Sequence, residues 1–305
     1  MQIHDQASHM TPDKIELISP IILSQHRQLA NELKSMNSKL ALSSGWHYIL
    51  DWLWILEQME SVEGKIVLDA GAGIGFLQWY LAEKGANIIS VDRSDRLCIP
   101  FHLLHQFNVY GLRTADTPLS TIQLFNFFDK KGGLQPKLKA IARGLWGWLK
   151  FGTQQHAHGK VALYRQDLKN LADVADGSVD IVVSISALEH NEQISSIKEI
   201  ASELYRVLKP GGKMIITLPA SHENDWFFEP AYSWCLTDAT IKDTFGLSEN
   251  ATSNFNQYDE IAAEIINSTE LRNNLSWRYF FQKNSGMPGR KWAPKYIPVG
   301  LVKTK

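Results

Sequence analysis

The sequence predicts an α/β fold built on a doubly wound, mostly parallel sheet, and three observations predict it. A short apolar run, Lys65-Ile66-Val67-Leu68, ends in Asp69 and passes into glycines on alternate positions, Gly71, Gly73 and Gly75. Strand-like and helix-like segments then alternate as far as residue 218, the pattern of a parallel sheet covered by helices on both faces. A second apolar run, 87–92, follows the first helical stretch and also ends in an acid, Asp92. Ligands of such sheets bind beyond the carboxyl ends of the strands.

Taken in order, residues 1–44 read as a polar lead with a helix over 21–40. Residues 47–59, His-Tyr-Ile-Leu-Asp-Trp-Leu-Trp-Ile-Leu-Glu-Gln-Met, read as a mostly buried helix. Together 1–62 are expected to form an N-terminal helical cap, and 63–305 one ligand-binding domain. The run 65–70 is the first strand. The glycines after it let the backbone turn sharply and let a ligand approach with no Cβ in the way. The helix behind the turn, 76–84, offers unpaired N–H groups and is closed by Gly85.

The third strand is 161–164, leading to Gln166-Asp167. The fourth is 179–184, introduced by Asp176-Gly177-Ser178 and running into Ser186-Ala187-Leu188-Glu189-His190. A helix follows, with Ile194, Ile197, Ile200, Ala201, Leu204, Val207 and Leu208 on one face. Lys209-Pro210-Gly211-Gly212 stops it before a fifth strand at 213–218. The tail holds two more candidates, 275–282 and 299–303. Pro298 cannot donate to a ladder, so the last strand is expected to begin after it.

The glycine spacing excludes two ligand classes. A dinucleotide fingerprint starting at Gly71 needs glycine at 76, where this chain has Phe76. No Gly-Lys-Ser/Thr follows the turn, so a P-loop fails as well. The pattern that is present, Asp-x-Gly-x-Gly-x-Gly, together with Leu188-Glu189-His190 and Leu208-Lys209-Pro210-Gly211-Gly212, resembles the class I S-adenosylmethionine methyltransferases with a type 11-like core, over roughly 65–218.

That resemblance implies a seven-stranded Rossmann-like doubly wound sheet with N-terminal helices, a helical insertion between strands 2 and 3, and an antiparallel edge made by the last two strands. It implies S-adenosyl-L-methionine as cofactor. The expected binding set is Asp69, Ala70, Gly71, Ala72, Gly73 and Gly75 at the turn, with Asp92, Arg93, Gln166, Asp167, Leu168 and Ser184 around it. Asp92 would accept hydrogen bonds from both ribose hydroxyls. Asp167 would read the adenine amino group, and the Leu168 N–H a ring nitrogen.

Composition narrows the rest. The chain has 305 residues, enough to bury a large core, and a formal net charge of −1. A dedicated nucleic-acid binder usually carries a basic excess, so no nucleic-acid partner is expected. Two cysteines, Cys98 and Cys235, are too few for a disulfide framework. With no long apolar run and no N-terminal signal pattern, a cytoplasmic location is expected.

The connection 93–160 is far longer than one helix needs. Residues 97–110 are the expected helix, and 112–158 an insertion. From 130 to 160 it carries Lys130, Lys131, Lys137, Lys139, Arg143, Lys150 and Lys160 with no acid, interleaved with Trp146 and Trp148. It reads as a helical lid packed on the core, or as a basic amphipathic segment making peripheral membrane contact through 130–158.

Two histidines are expected near the transferred group. His190 follows the fourth strand. His222 follows the fifth, within an aromatic stretch where Glu223 or Asp225 would orient it. Either is a candidate base, since histidine titrates near neutral pH. Some relatives in this superfamily carry a metal-binding Glu where this chain has Ser186, and His156-x-His158 lacks a nearby acid, so no metal is expected. No Asn/Asp/Ser-Pro-Pro-aromatic tetrad follows the fourth strand, which favours an oxygen acceptor.

The expected function is therefore methyl transfer to a small-molecule or lipid-linked acceptor. The competing expectation is a non-catalytic protein of the same fold, docking to a membrane or partner through the basic Trp-rich insertion. Aminopropyl transfer is disfavoured because Ser184, Ser186 and Ala187 supply no acid-rich polyamine site.

Overall fold

A computed structural model describes residues 13–40, 42, 44–96, 99, 101–117, 159–274 and 297–305. The chain begins with β1 (Lys14–Leu17), followed by α1 (Ile22–Gln25), α2 (Arg27–Lys39) and α3 (Tyr48–Gln58). The core then runs β2 (Ile66–Ala70), α4 (Leu77–Glu83), β3 (Asn87–Asp92), α5 (Phe101–Gln106), β4 (Asn108–Gly111), β5 (Lys160–Arg165), β6 (Val179–Ile185), α6 (Ile194–Val207) and β7 (Leu208–Ala220). After it come β8 (Trp226–Phe228), β9 (Ser233–Cys235), α7 (Asp238–Phe245), β10 (Thr252–Ser253), α8 (Tyr258–Asn267), α9 (Thr269–Asn274) and β11 (Ile297–Thr304).

Among the described residues the main sheet has nine strands in the order β10-β1-β11-β7-β6-β2-β3-β5-β4, and β8 with β9 form a separate hairpin. Strands β2 through β7 of this sheet pair in parallel, while β11 runs antiparallel to β7 and to β1. Strand β2 lies between β3 and β6, where the winding reverses. The crevice at such a switch point is where these sheets hold ligands.

The central strands are apolar because both faces are covered: Val67, Leu68, Ala70, Val182 and Val183 are fully buried. Helix α6 buries Ile197, Ile200, Ala201, Leu204 and Val207, a single stripe at helical spacing. Helix α3 is buried on most sides, with Trp54 lying across the backbone of Gly300 in β11.

The doubly wound sheet is as expected, and the differences lie at its edges. Seven strands were expected; six of them fall among the described residues, and the nine include three short unexpected ones, β1, β4 and β10, which pair only with residues distant in sequence. Strand β1 comes from the supposed polar lead and occupies the place beside β11 expected for 275–282, which lies outside the described residues. The segment 1–62 is therefore not a separate cap, since its first strand is part of the main sheet. The expected helix over 21–40 is broken at His26 into α1 and α2.

The helix expected over 97–110 stops at Gln106, and Asn108–Gly111 turns back as β4, parallel to β5. Strand β11 begins before Pro298, not after it. Pro298 pairs with Pro219, and its carbonyl accepts from the Ile18 N–H (2.9 Å), a bond that needs no proline donor. Of the insertion, only 112–117 are described; its basic Trp-rich part, 130–158, lies outside the described residues. No helix among the described residues is long and apolar enough to cross a membrane.

Candidate active site

The carboxyl end of β2 opens directly into the glycine turn. Gly71 takes φ +77° and Gly73 φ +49°, both left-handed and suited to glycine. The Gly71 and Ala72 N–H groups donate to the Val91 carbonyl (3.0 Å each), so the turn is stitched to the end of β3. The Gly73 N–H donates to Asp92 Oδ2 (2.8 Å), and Ser94 N–H to Asp92 Oδ1 (2.8 Å). Each carboxylate oxygen keeps a further lone pair. A Cβ on Gly73 would meet nothing nearer than Asp92 Oδ2 at 3.8 Å, so the turn is open toward the crevice there.

A buried polar chain supports this turn from behind. Gln78, fully buried in the first turn of α4, donates through Nε2 to the carbonyls of Gly75 (3.0 Å) and Ala72 (3.3 Å). Its Oε1 accepts from Ser90 Oγ (2.6 Å), and Ser90 Oγ in turn accepts from Arg96 Nη1 (2.5 Å). Arg96 is 5% exposed and also donates to the Ser90 carbonyl (2.8 Å). Burial lowers its pKa, while Asp92, Asp69 and Asp116 favour its charged form. Asp69, 5% exposed, has its pKa pushed up to about 7 by burial, against the pull of Arg96 and with Asp92 adding to the rise.

On the side where the adenine is expected, Gln166 N–H donates to the Asp92 carbonyl (3.0 Å), bringing the ends of β3 and β5 together. Asp167 is exposed and its Oδ1 accepts from Lys169 N–H (2.9 Å), while Leu168 is buried. Arg93 is exposed, and its carbonyl accepts from Arg165 Nε (3.4 Å). Ser184 is fully buried and donates to the Ala70 carbonyl (2.8 Å), tying β6 to the strand that feeds the turn.

The opposite wall is the loop after β6. Ser186 takes φ +46°, uncommon for a residue with a Cβ, and its Oγ donates to Glu189 Oε1 (2.6 Å). Glu189 is 1% exposed and its Oε2 makes no hydrogen bond. Burial raises its pKa, and the nearby imidazoles of His190 and His47 pull it back. His190 Nδ1 lies 2.8 Å from the Tyr232 carbonyl, an acceptor only, so Nδ1 carries the proton and Nε2 of the neutral ring keeps its lone pair. Trp234 closes the wall, donating from its N–H to the Glu189 carbonyl (3.1 Å) and from Nε1 to the Asn191 carbonyl (3.1 Å).

His222 has a different setting from the one expected. Its ring stacks on Tyr258 of α8 (5.0 Å, 15°), and Nδ1 lies 3.9 Å from Asp259. Neither Glu223 nor Asp225 orients it. Asp225 is taken by the start of α7, accepting from Thr237 N–H (2.7 Å) and Thr240 Oγ1 (2.5 Å). His156 and His158 lie outside the described residues.

Two features escaped the sequence reading. One is Arg96, on which no expectation was placed and which is 5% exposed. The other is the pair His47 and Asp51, one helical turn apart, with Nδ1 2.6 Å from Oδ2. Their spacing is a signal for facing side chains, but 47–59 reads from sequence as a mostly buried helix, of a kind that in the resembling family covers cofactor or substrate, with neither residue singled out.

The family described as "methyltransferase domain" matches residues 147–216, which take in β5, β6, α6 and most of β7. A tRNA U34 carboxymethyltransferase of Alteromonas mediterranea is 38% identical over 66 residues, 20% of this chain and 20% of that protein. One from Photobacterium profundum is 26% identical over 131 residues, 37% of this chain and 40% of that one. The matched part thus spans a fifth to two fifths of these curated relatives. Among solved structures, an S-adenosylmethionine-dependent methyltransferase of Mesorhizobium loti is 14% identical with a TM-score of 0.39, covering 83% of this chain and 97% of that one.

These relatives correct two expectations. A small-molecule or lipid-linked acceptor, and the absence of a nucleic-acid partner, were inferred from a near-neutral charge and a missing tetrad. Proteins named for a transfer onto tRNA overturn both. Net charge is a sum over the whole chain and does not report how one face meets one nucleotide.

Proposed function

The chain carries a class I methyltransferase core, and from that premise we propose that it is an S-adenosylmethionine-dependent transferase whose acceptor is a uridine of tRNA. The observation that carries the cofactor half is the pairing of Gly73 N–H with Asp92 Oδ2 at the switch point. It presents a carboxylate beside an open glycine turn, and the residues present fit the nucleoside. Asp92 would hold the ribose, Asp167 and the Leu168 N–H the adenine, and the turn from Asp69 to Gly75 the amino-acid end. The acceptor half rests on the names of the curated relatives, and it accords with a cytoplasmic location.

Bound there, the sulfonium would supply an activated alkyl group, methyl in the parent cofactor and carboxymethyl in the reaction for which the relatives are named. The protein's task is then alignment of two reactants. Ser184 fixes β6 against β2, and the loop Ser186–His190 with Trp234 forms the wall beside which the acceptor would lie. His190, its Nδ1 engaged by Tyr232, has Nε2 available to bond to that acceptor.

The test is calorimetric titration with S-adenosylmethionine, followed by nucleoside mass spectrometry of tRNA incubated with protein and cofactor. Binding that weakens at least about tenfold in Asp92→Ala, with a methyl or carboxymethyl increment on uridine, supports the reading. Unchanged affinity in Asp92→Ala would refute the cofactor half. Tight binding without any modified nucleoside would refute the acceptor half.

A further inference from the structure

We propose that His47, held by Asp51, is the catalytic base that takes the acceptor's proton. The inference deepens the proposed transfer and rests on it. Two histidines flank the loop after β6, and they are held differently. His190 is anchored to a neutral carbonyl, Tyr232 O. His47 is anchored to a carboxylate at 2.6 Å, and the Asp51 side chain is 1% exposed while that of His47 is 14% exposed. Asp51 is thus withdrawn from solvent, while His47 keeps a small exposed part.

An oxygen of a carboxylate accepts a proton-bearing nitrogen, so Nδ1 donates to Asp51 and Nε2 keeps its lone pair. Proton uptake at Nε2 makes an imidazolium whose charge lies next to the Asp51 carboxylate. Proton uptake at His190 would make one facing only a carbonyl dipole on that side. Buried carboxylates orient and stabilise a histidine base in just this way.

Placement supports the assignment. Helix α3 packs on β11, β7 and β6, and a run of rings ties its first turn to the residue that follows the glycine turn. His47 stacks on Tyr48 (4.7 Å), Tyr48 meets Trp52 edge-on (6.2 Å), and Trp52 packs on Phe76 (4.5 Å), the residue after Gly75. On the other side, Glu189 in the acceptor wall feels the charge of His47 as well as of its neighbour His190. The titratable groups shown against His47 among the described residues are Asp51 and Tyr48 on its own helix and Glu189 on the loop after β6. The rings join His47 to Phe76 behind the cradle, and Glu189 of the wall lies within its electrostatic reach; on these two grounds His47 is assigned to the acceptor's side.

The step balances simply. The acceptor atom forms a bond to the sulfonium-bound carbon as the carbon–sulfur bond breaks and its electron pair returns to sulfur. The acceptor's proton passes to His47 Nε2, and then to solvent. The products are the alkylated acceptor, a neutral thioether and one proton.

The experiment compares wild type, His47→Gln, Asp51→Asn and His190→Gln, using tRNA and S-adenosylmethionine. His47→Gln is expected to lose about 100-fold or more in kcat, a general-base effect, with cofactor affinity kept. Its rate should also lose the wild type's acid limb in the pH profile. Asp51→Asn should fall between, and His190→Gln should change KM more than kcat. A His47→Gln enzyme with wild-type kcat and pH profile overturns the proposal while leaving the transferase reading intact. A wild type that modifies no tRNA overturns that reading instead.

A second measurement is independent of the acceptor. Carbethoxylation of His47, mapped by mass spectrometry, should be slowed by S-adenosylhomocysteine. Labelling indifferent to that nucleoside removes His47 from the reaction centre and ends the proposal.

Discussion

Ser90 donates a 2.6 Å hydrogen bond to Gln78 Oε1, and both side chains are fully buried beneath the glycine turn. The bond has a direction. Arg96 donates to Ser90, Ser90 to Gln78, and Gln78 to the turn's carbonyls. A cation at the head of such a chain polarises each following donor. The turn is thereby held before any ligand arrives, with the N–H groups of Gly71, Ala72 and Gly73 already tied to the end of β3.

Gln78→Leu keeps side-chain volume but removes both ends of the link. It takes the partner from Ser90 Oγ–H and from the Gly75 carbonyl, while the Ala72 carbonyl keeps the Gly75 N–H (2.8 Å), a cost of about 1–3 kcal/mol for each group left buried and unpaired. Stability should fall, and S-adenosylmethionine affinity should fall by more than Ser90→Ala produces. Denaturant midpoints with calorimetric titration read both. Affinity unchanged in a folded Gln78→Leu protein would show that the turn needs no support from behind.

Gly71 faces a different constraint. A Cβ there would lie 2.4 Å from Ala187 Cβ, and its φ of +77° disfavours any side chain. Gly71→Ala must push the turn from the loop after β6, moving the cradle and the acceptor wall apart. The expected outcome is loss of cofactor binding by tenfold or more, on the order of 1.4 kcal/mol, together with a lower melting temperature. The double variant Gly71→Ala/Ala187→Gly relieves the clash but not the φ strain, so it should recover only part of the affinity.

How much of this was legible depends on where each element's partners lie. The β2–turn–α4 unit was legible because its signals are local: an apolar run, an acid and glycines at fixed offsets. Helix α6 was legible from its stripe. Strand β1 was not, although Ile15 and Leu17 alternate with Lys14 and Glu16, because four residues have no stability of their own and pair only with the far end of the chain. Arg96 was illegible for a related reason. A buried guanidinium is rare, and it is tolerated here because Asp69, Asp92 and Asp116 come together around it from separate segments. The acceptor was misread because overall charge was used to judge a local surface.

The packing of α3 on the sheet can be tested away from the site. A Cβ on Gly300 would lie 2.3 Å from Trp54 Cζ3, while Trp54 is 2% exposed and donates through Nε1 to Glu16 Oε2 (2.7 Å). Gly300→Ala therefore overpacks a full core position, at a cost of about 1–3 kcal/mol. Thermal unfolding should shift down by a few degrees, on the order of 2–4 °C per kcal/mol at this size. Trp54→Phe removes the hydrogen bond and some bulk, so the double variant should lose less than the sum of the two single changes.

Asp69 gives a pH prediction whose sign can be worked out. Its pKa is pushed up to about 7 in the native state from an ordinary value of 3.8. Between those values the folded protein holds a proton that the unfolded chain has released. Stability from this group is therefore greatest in acid, falls as pH rises from about 4 to about 7, and levels off above that. The fall is at most about 4 kcal/mol, at 1.36 kcal/mol per unit. Asp69→Asn cannot ionise, so the stability difference, variant minus wild type, should climb across that window and then stop. Arg96 loses an anionic neighbour in the variant, which shifts the curve without changing where it bends. Urea midpoints measured from pH 4 to pH 8 read the slope directly. A difference that stays flat, or that climbs with acid, would mean Asp69 is ionised throughout and is held by Arg96 more firmly than its burial resists.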